Sequence, residues 1–283
     1  DFAVEDFLDE RSDFAIGVEI VTESFSDEGE PAYLLIEGDV LDPEVYAAID
    51  DFRIQMGILP DGVADKITHL PNGDIDIMAL DEMVFAAQGS LVLNSTPFEQ
   101  AGWNTTEEGH GMNCSDADSG LLVDTDDRDC LAFFYGFLSL YGVPGAGPIP
   151  DIPANIVELY IKPEVELDPS KPWLDINGQP AQYDRMLIRF GMTSPEDFPG
   201  MGEGLEELWR DLDVFTNLST GTVLEEGPES DDKPLTWVMP TGRPITRYVA
   251  STAMQDEMQS SLVLGSLFVF ITLSIGFRSP KQA

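Results

Sequence analysis

Positive charge is what this sequence has least of. Across 283 residues there are 14 Lys+Arg against 53 Asp+Glu, a formal charge of −39. Without a basic stripe to displace counterions from phosphates, nucleic acid is excluded as a partner. Histidine is nearly absent: His69 and His110 are the only two, and neither has ligand-type neighbours at metal spacing. A Gly-x-Ser-x-Gly nucleophile elbow is missing as well. Gly200-Met201-Gly202-Glu203-Gly204 has a misplaced third glycine, and Glu203, Glu206 and Glu207 would repel a phosphate, so it reads as a turn. These absences argue against an enzyme, and nothing in the sequence calls for a cofactor.

Cysteine is scarce too, with only Cys114 and Cys130. Two such residues suit the oxidising side of a membrane, where a disulfide between them would contribute about 3 kcal/mol by loop-closure entropy. Two free buried thiols are the alternative. Asp116, Asp118, Asp124, Asp126, Asp127 and Asp129 lie between and beside them. Carboxylates at alternate positions resemble a calcium loop, Asp116, Asp118, Asp124 and Asp126 being the candidate ligands. The midway glycine and terminal glutamate of that loop are not in place, which favours a solvated acidic loop.

What the sequence does have is a hydrophobic content of 43%, ample for a core. The acid excess runs through the whole chain rather than sitting in a tail. That points to a protein adapted to concentrated salt, which screens self-repulsion over a Debye length of about 3 Å at 1 M. An unchanged melting temperature between dilute buffer and molar salt would refute this.

The one long uncharged run lies near the end, from Ser260 to Phe277, followed by Arg278 and Lys281. At about 1.5 Å per residue it covers most of a ~30 Å hydrocarbon core. Leu262, Phe268, Phe270 and Phe277 would sit in lipid and Arg278 at the cytoplasmic boundary, leaving residues before about 260 outside the cell. Ser266, Thr272 and Ser274 would suit packing against further helices. No Pro or Gly interrupts the chain between Ile245 and Leu264, so one continuous helix is expected from about Thr246 into the membrane.

Upstream, residues 1–31 read as an acidic lead-in to a piece of some longer protein. Ala32–Gly38 is nearly apolar and predicts a strand buried on both faces. Asp42-Pro43-Glu44 opens a helix with a cap, a proline at the first position and an acid in the first turn. Val45, Ile49, Phe52 and Met56 form its stripe, and Gly57 ends it. A second unit pairs a strand at Met186–Phe190 with a helix carrying Leu205, Leu208, Trp209, Leu212 and Phe215. Ile156–Ile161 and Leu235–Met239 are further strand candidates. Residues 32–62 thus form one strand–helix unit and 154–245 a second, in an α+β architecture with βαβ-type subdomains sharing a sheet.

Between them, 63–153 reads as a long irregular insertion holding one aromatic helix over Cys130–Leu138. Three formal glycosylation acceptors, at Asn94, Asn104 and Asn113, fall in this insertion and a fourth is Asn217, consistent with an external surface.

Several runs taken together carry a resemblance. The run from Gly29 to Val45, with Pro31-Ala32-Tyr33-Leu34-Leu35-Ile36-Glu37-Gly38-Asp39 at its centre, resembles the first strand–helix of the extracytoplasmic domain of resistance–nodulation–division (RND) exporters, in their MMPL-like, hydrophobe–amphiphile branch. Thr241-Gly242-Arg243-Pro244-Ile245 resembles the turn before the re-entry helix of that family, and Phe277-Arg278-Ser279-Pro280 the ending of the next membrane helix. The acidic bias would make the source a halophilic archaeon. The resemblance implies two ferredoxin-like, porter-type subdomains with a long insertion, leading at 246–283 into the start of a transmembrane helix.

It also implies a proton-driven exporter. This chain would be one external loop, leaning towards the second, which captures a hydrophobic or amphiphilic small molecule or lipid. Its partners would be the bilayer, the remaining membrane helices and the other porter loop, in an assembly that admits a homo-oligomer. The proton-relay acids of the family lie in helices outside this chain, so no catalytic residue carries over. Phe133, Phe134, Tyr135, Phe137 and Tyr141 are candidate substrate contacts, with core packing as the competing role. A membrane-anchored extracellular binding or adhesion module is the alternative function, and a β-sandwich lobe would favour it.

Overall fold

The computed structural model describes residues 30–58, 66–70, 73–103, 124–192, 198–222, 225–226 and 233–277. The fold is α+β, built on one six-stranded sheet. Its strands are β1 (Glu30–Gly38), β2 (Ile77–Met78), β5 (Arg185–Met192), β6 (Ser219–Thr222), β7 (Glu225–Glu226) and β8 (Leu235–Gly242), ordered β2-β5-β1-β8-β6-β7. β3 (Leu167–Asp168) and β4 (Lys171–Asp175) form a separate hairpin.

β1 is the central strand. It runs antiparallel to both neighbours, with Leu34 opposite Ile188 of β5 and Pro240 of β8. The strands expected at Ala32–Gly38, Met186–Phe190 and Leu235–Met239 therefore belong to one sheet, while β3 and β4 of the second unit stand apart from it. β6 joins β8 in parallel, and that pairing ends at Val238. Pro240, which has no N–H to donate, thus sits beyond the last paired residue of its outer neighbour.

The strand expected to be buried on both faces is buried on one. Ala32, Leu34 and Ile36 are fully covered, while Tyr33, Leu35 and Glu37 are half-buried on the opposite face. The two-residue side-chain period sends alternate residues to opposite faces whatever their polarity. Arg185 meets Glu37 across the strands on that second face, at 3.1 Å.

Helix α1 (Pro43–Met56) begins as its sequence dictates, the Asp42 carboxylate accepting from the Glu44 N–H at 2.8 Å. Val45, Ile49, Phe52 and Met56 are buried, and Phe52 meets Phe190 of β5 and Phe215 beyond. Phe215 closes a 3₁₀ turn (Leu212–Phe215) that continues helix α6 (Phe198–Asp211), whose Leu205 and Leu208 are buried with it.

The stretch expected to be irregular apart from one aromatic helix holds two further helices: α2 (Leu80–Leu93) and α3 (Thr96–Gln100) fall inside it beside α4 (Arg128–Tyr141). Leu80, Val84, Ala87 and Leu91 of α2 are buried at spacings of four, three and four. The segment escaped notice because Ala79 precedes it and supplies no side-chain cap, and because apolar residues stand on its exposed side as well. The strand expected at Ile156–Ile161 is instead a short helix, α5 (Ala154–Val157), with a single bridge at Ile161. Val157 is its one buried residue, and Tyr160 and Ile161 are buried in the turn and bridge that follow it.

Helix α4 is the expected aromatic helix. The Asp127 carboxylate caps it, accepting from the Asp129 N–H at 2.8 Å, and Gly142 ends it at φ 73°. Phe133, Phe134, Tyr135 and Phe137 are completely buried. Phe137 stacks on Phe98 at 4.2 Å, and Phe133 contacts Trp103 and Trp173. Gly136 lets the backbone of β4 lie against the helix, since a Cβ there would run into the Pro172 carbonyl.

Helix α7 (Arg243–Phe277) rises directly from the end of β8 and is unbroken over 35 residues. It is the one helix among the described residues long and apolar enough to cross a membrane. Its first turns belong to the lobe, with Ile245 buried and Tyr248 packed against the core. From Met254 to Leu273 its large apolar residues are 38% to 73% exposed.

Candidate functional site

The residues singled out from the sequence divide between core and exterior. Phe133, Phe134, Tyr135 and Phe137 are packing residues of the interior, because α4 is enclosed by α2, α3 and the β3–β4 hairpin. Tyr141, at the end of the helix, is 46% exposed and donates its hydroxyl to the Pro169 carbonyl at 2.8 Å. Leu262, Phe268 and Phe270 stand exposed on α7, Phe277 is its last residue, and Arg278 lies outside the described residues.

Cys130 is buried in the first turn of α4 and is not a free thiol; Cys114 lies outside the described residues. Asp116 and Asp118 lie outside them also. Asp124 is used locally, accepting from the Asp126 N–H at 3.0 Å, as Asp127 is in capping α4. Among the described residues no three His, Cys, Asp or Glu are grouped to hold a metal ion.

The built site on this lobe lies elsewhere, in a cleft of about 590 Å³ between α1, α2 and the loop before α4. Tyr46, Asp50 and Arg53 line it from α1, Asp81, Glu82 and Phe85 from α2, and Asp126 from the loop. Helical spacing explains the convergence. Tyr46, Asp50 and Arg53 follow one another at four and three along one flank of α1, and Asp81 and Phe85 at four along α2.

Arg53 bridges the two helices. It pairs with Asp50 on its own helix, reaches Asp81 Oδ2 at 3.2 Å and stands 3.9 Å from Glu82. Asp81 is only 5% exposed, and its second oxygen, Oδ1, has no hydrogen-bond partner. Burial pushes the Asp81 carboxyl above its ordinary range, and the opposing Arg53 charge does not cancel this. Burial and then the Asp81 charge raise Glu82 in the same way. Burial opposes the Arg53 charge, yet its hydrogen bond to Asp50 and the surrounding carboxylates hold it above the usual arginine value.

The floor of the cleft is phenolic. Burial, with Asp81 and Asp50 nearby, pushes Tyr46 well up, so it stays neutral. Behind it Tyr135, raised first by burial and then by the fields of Tyr46 and Asp81, has a buried hydroxyl without a hydrogen-bond partner. At the rim Phe85 is 75% exposed. A second cleft of about 500 Å³, lined by His69, Asp74 and Ile75, shares Arg53 and Glu82 with the first.

Sequence reasoning did not select Tyr46, Arg53, Asp81 or Phe85. One signal was present: Arg53 is the only cation between Arg11 and Lys66, and it lies on the helix whose start was evident. Two of its three partners, Asp81 and Glu82, come from the helix that the sequence concealed. Comparison with protein-family models and with the curated proteins finds no match to this chain.

Proposed function

We propose that this chain is the extracytoplasmic, substrate-capturing domain of a proton-driven RND-type exporter of the MMPL-like branch, handling hydrophobic or amphiphilic molecules. The observation that carries this reading is the continuity of α7. It leaves the sheet at Gly242 and presents its apolar residues unburied along its outer length. An all-round apolar helix outside a protein core needs a bilayer as its solvent. A lobe fixed by its central sheet to such a helix can pass a change of shape on to the membrane.

The α+β architecture, with both strand–helix units sharing one sheet, supports a porter-type lobe over an adhesion module built as a β-sandwich. In this reading the two units belong to two ferredoxin-like, porter-type subdomains. The lobe lies outside the cell, and Cys130 is paired with Cys114 there. The sequence resemblance at Gly29–Val45, Thr241–Ile245 and Phe277–Pro280 is the second support.

Transport by the parent protein in proteoliposomes tests the proposal. With an imposed proton gradient, movement of a lipophilic fluorescent dye should follow the gradient and stop on adding an uncoupler. Dye movement indifferent to the gradient, in a parent protein with a single membrane span, would establish an anchored module instead.

A further inference from the structure

We infer that the outer face of α2, together with the turn at residues 143–150, is the surface on which two copies of this chain pair. The inference stands on the lobe alone and holds whether or not the parent protein is an exporter. Leu80, Val84, Ala87 and Leu91 hold α2 to the core. Phe85, Val92 and Leu93 stand on its other side, 75%, 60% and 56% exposed. A helix apolar on both sides needs cover on both, and 14 residues are too few to find it by crossing a bilayer.

Single exposed apolar side chains are ordinary, but these belong to a continuous patch. The turn is tied to the helix at three points. The Ser90 hydroxyl donates to the Pro144 carbonyl. Ile149 lies over Gly89, where a Cβ would fall 2.7 Å from its Cδ1, and a Cβ on Gly147 would stand 3.3 Å from Cδ1 of Leu93. Neither residues 83–98 nor residues 143–150 include a charged side chain, although 24% of the whole chain is charged. Acids begin only at the margins, with Glu82, Glu99 and Asp151.

The charge of the chain decides the occupant. A basic partner is drawn to carboxylates, which a chain of net charge −39 offers widely, and gains nothing from a patch without them. A surface free of charge is required where the approaching partner is itself strongly acidic, and a second copy of this chain is such a partner. About a two-fold axis the patch can meet itself with no like charges opposed at its centre, leaving the marginal acids in the solvated rim. Its exposed or half-buried residues number ten between Phe85 and Pro97 and seven between Pro144 and Pro150. That is just under the ~20 residues a side of a standard interface, so the dimer should depend on concentration rather than be obligate.

Sedimentation equilibrium of the full chain in detergent micelles, at constant molar salt, tests this. Wild type is expected to pass from monomer to dimer as concentration rises. An acidic variant, Phe85→Glu with Val92→Glu, and a basic one, Phe85→Lys with Val92→Lys, change only exposed positions to good helix formers. Each should weaken association by about 10-fold or more, because like charges then face one another across the axis. Mixed one to one, the two variants should associate again, since each patch meets one of opposite sign. If either double variant does not fold, Val92→Glu and Val92→Lys alone decide the matter. A wild-type chain that stays monomeric at every concentration leaves the face to lipid or to a different protein and overturns the inference. Dimerisation that the charged variants leave unchanged would belong to α7 or another surface, and overturns it equally. Variants that dissociate alone and do not recover when mixed would show that the patch does not meet itself, which also overturns it.

Discussion

Helices α4 and α7 are written in nearly the same alphabet and live in opposite surroundings. The α4 stretch Leu131-Ala132-Phe133-Phe134-Tyr135-Gly136-Phe137-Leu138 is apolar on every side, and so is Leu262–Leu273 of α7. In the first, every residue is buried; in the second, the large side chains stand open by 38% to 71%. Composition tells that a helix must leave water. Length and neighbours decide where it goes. α4 has 14 residues and finds α3, Trp103 and the β3–β4 hairpin around it. α7 has 35 residues, about 52 Å at 1.5 Å per residue, longer than the lobe can enclose.

Substituting both helices is the sharpest way to break this comparison. Phe134→Ala empties a fully buried position ringed by Phe98, Trp103 and Phe133. It should cost the lobe about 3–5 kcal/mol in denaturant unfolding at constant high salt. Phe268→Arg on α7 should leave lobe unfolding within about 0.5 kcal/mol, yet oppose membrane insertion by about 3 kcal/mol, read as loss from the membrane fraction. If Phe268→Arg melts the lobe, or stays fully in the membrane fraction, α7 is an ordinary packing helix and the contrast with α4 fails.

The same pair of helices shows what was legible in the sequence. Caps and one-sided stripes were readable, hence α1, with Asp42-Pro43-Glu44 at its start, and α6, with Leu205, Leu208 and Leu212. The continuous α7 was readable because nothing breaks it. α2 was not, since Ala79 gives no start signal and Phe85, Val92 and Leu93 blur its stripe by standing exposed beside buried Leu80 and Val84. The cleft was hidden for the same reason. Half of its carboxylates ride on α2, and their meeting with Arg53 is a tertiary fact that no local pattern encodes. Ile156–Ile161 misled because six residues rich in Ile, Val, Leu and Tyr fit a strand or a helical turn alike, and Pro153 tipped the choice towards the turn.

A subtler contrast sets buried acids against exposed ones. Among the described residues most acidic side chains are exposed or half-buried, but Asp211 on α6 is 3% exposed. Burial first, with Glu207 one turn back adding to it, raises its carboxyl to about 6 despite Arg210 beside it. A folded value above the unfolded ~3.9 means that the native state holds the proton more tightly. Asp211 therefore contributes its full stabilisation below about pH 4 and loses it as pH rises through about 6. Asp211→Asn should remove that slope, giving about 2 kcal/mol over wild type at pH 7.5 relative to the same difference at pH 4. Parallel stability curves for wild type and variant across that window would show that Asp211 is solvated after all.

The smallest effect concerns how α4 is held at its start. Asp127 is an exposed carboxylate with one task, accepting the Asp129 N–H at 2.8 Å. Asp42 does the same for α1 at 2.8 Å through Glu44. If capping is local, Asp127→Ala and Asp42→Ala should each cost about 1 kcal/mol. Asp127 carries a larger opposing contribution than Asp42: it stands in an aspartate-rich run with Asp124, Asp126 and Asp129, whose mutual repulsion its removal relieves, whereas of the acids beside Asp42 only Glu44 is close without a cation, Asp39 being paired with Arg128. Concentrated salt screens that repulsion while leaving a short capping hydrogen bond largely intact. The cost of Asp127→Ala should therefore grow between dilute and molar salt, and the cost of Asp42→Ala should change less. Identical salt dependence for the two variants, in chemical denaturation followed by circular dichroism, would mean that the acidic run has no energetic bearing on the start of α4.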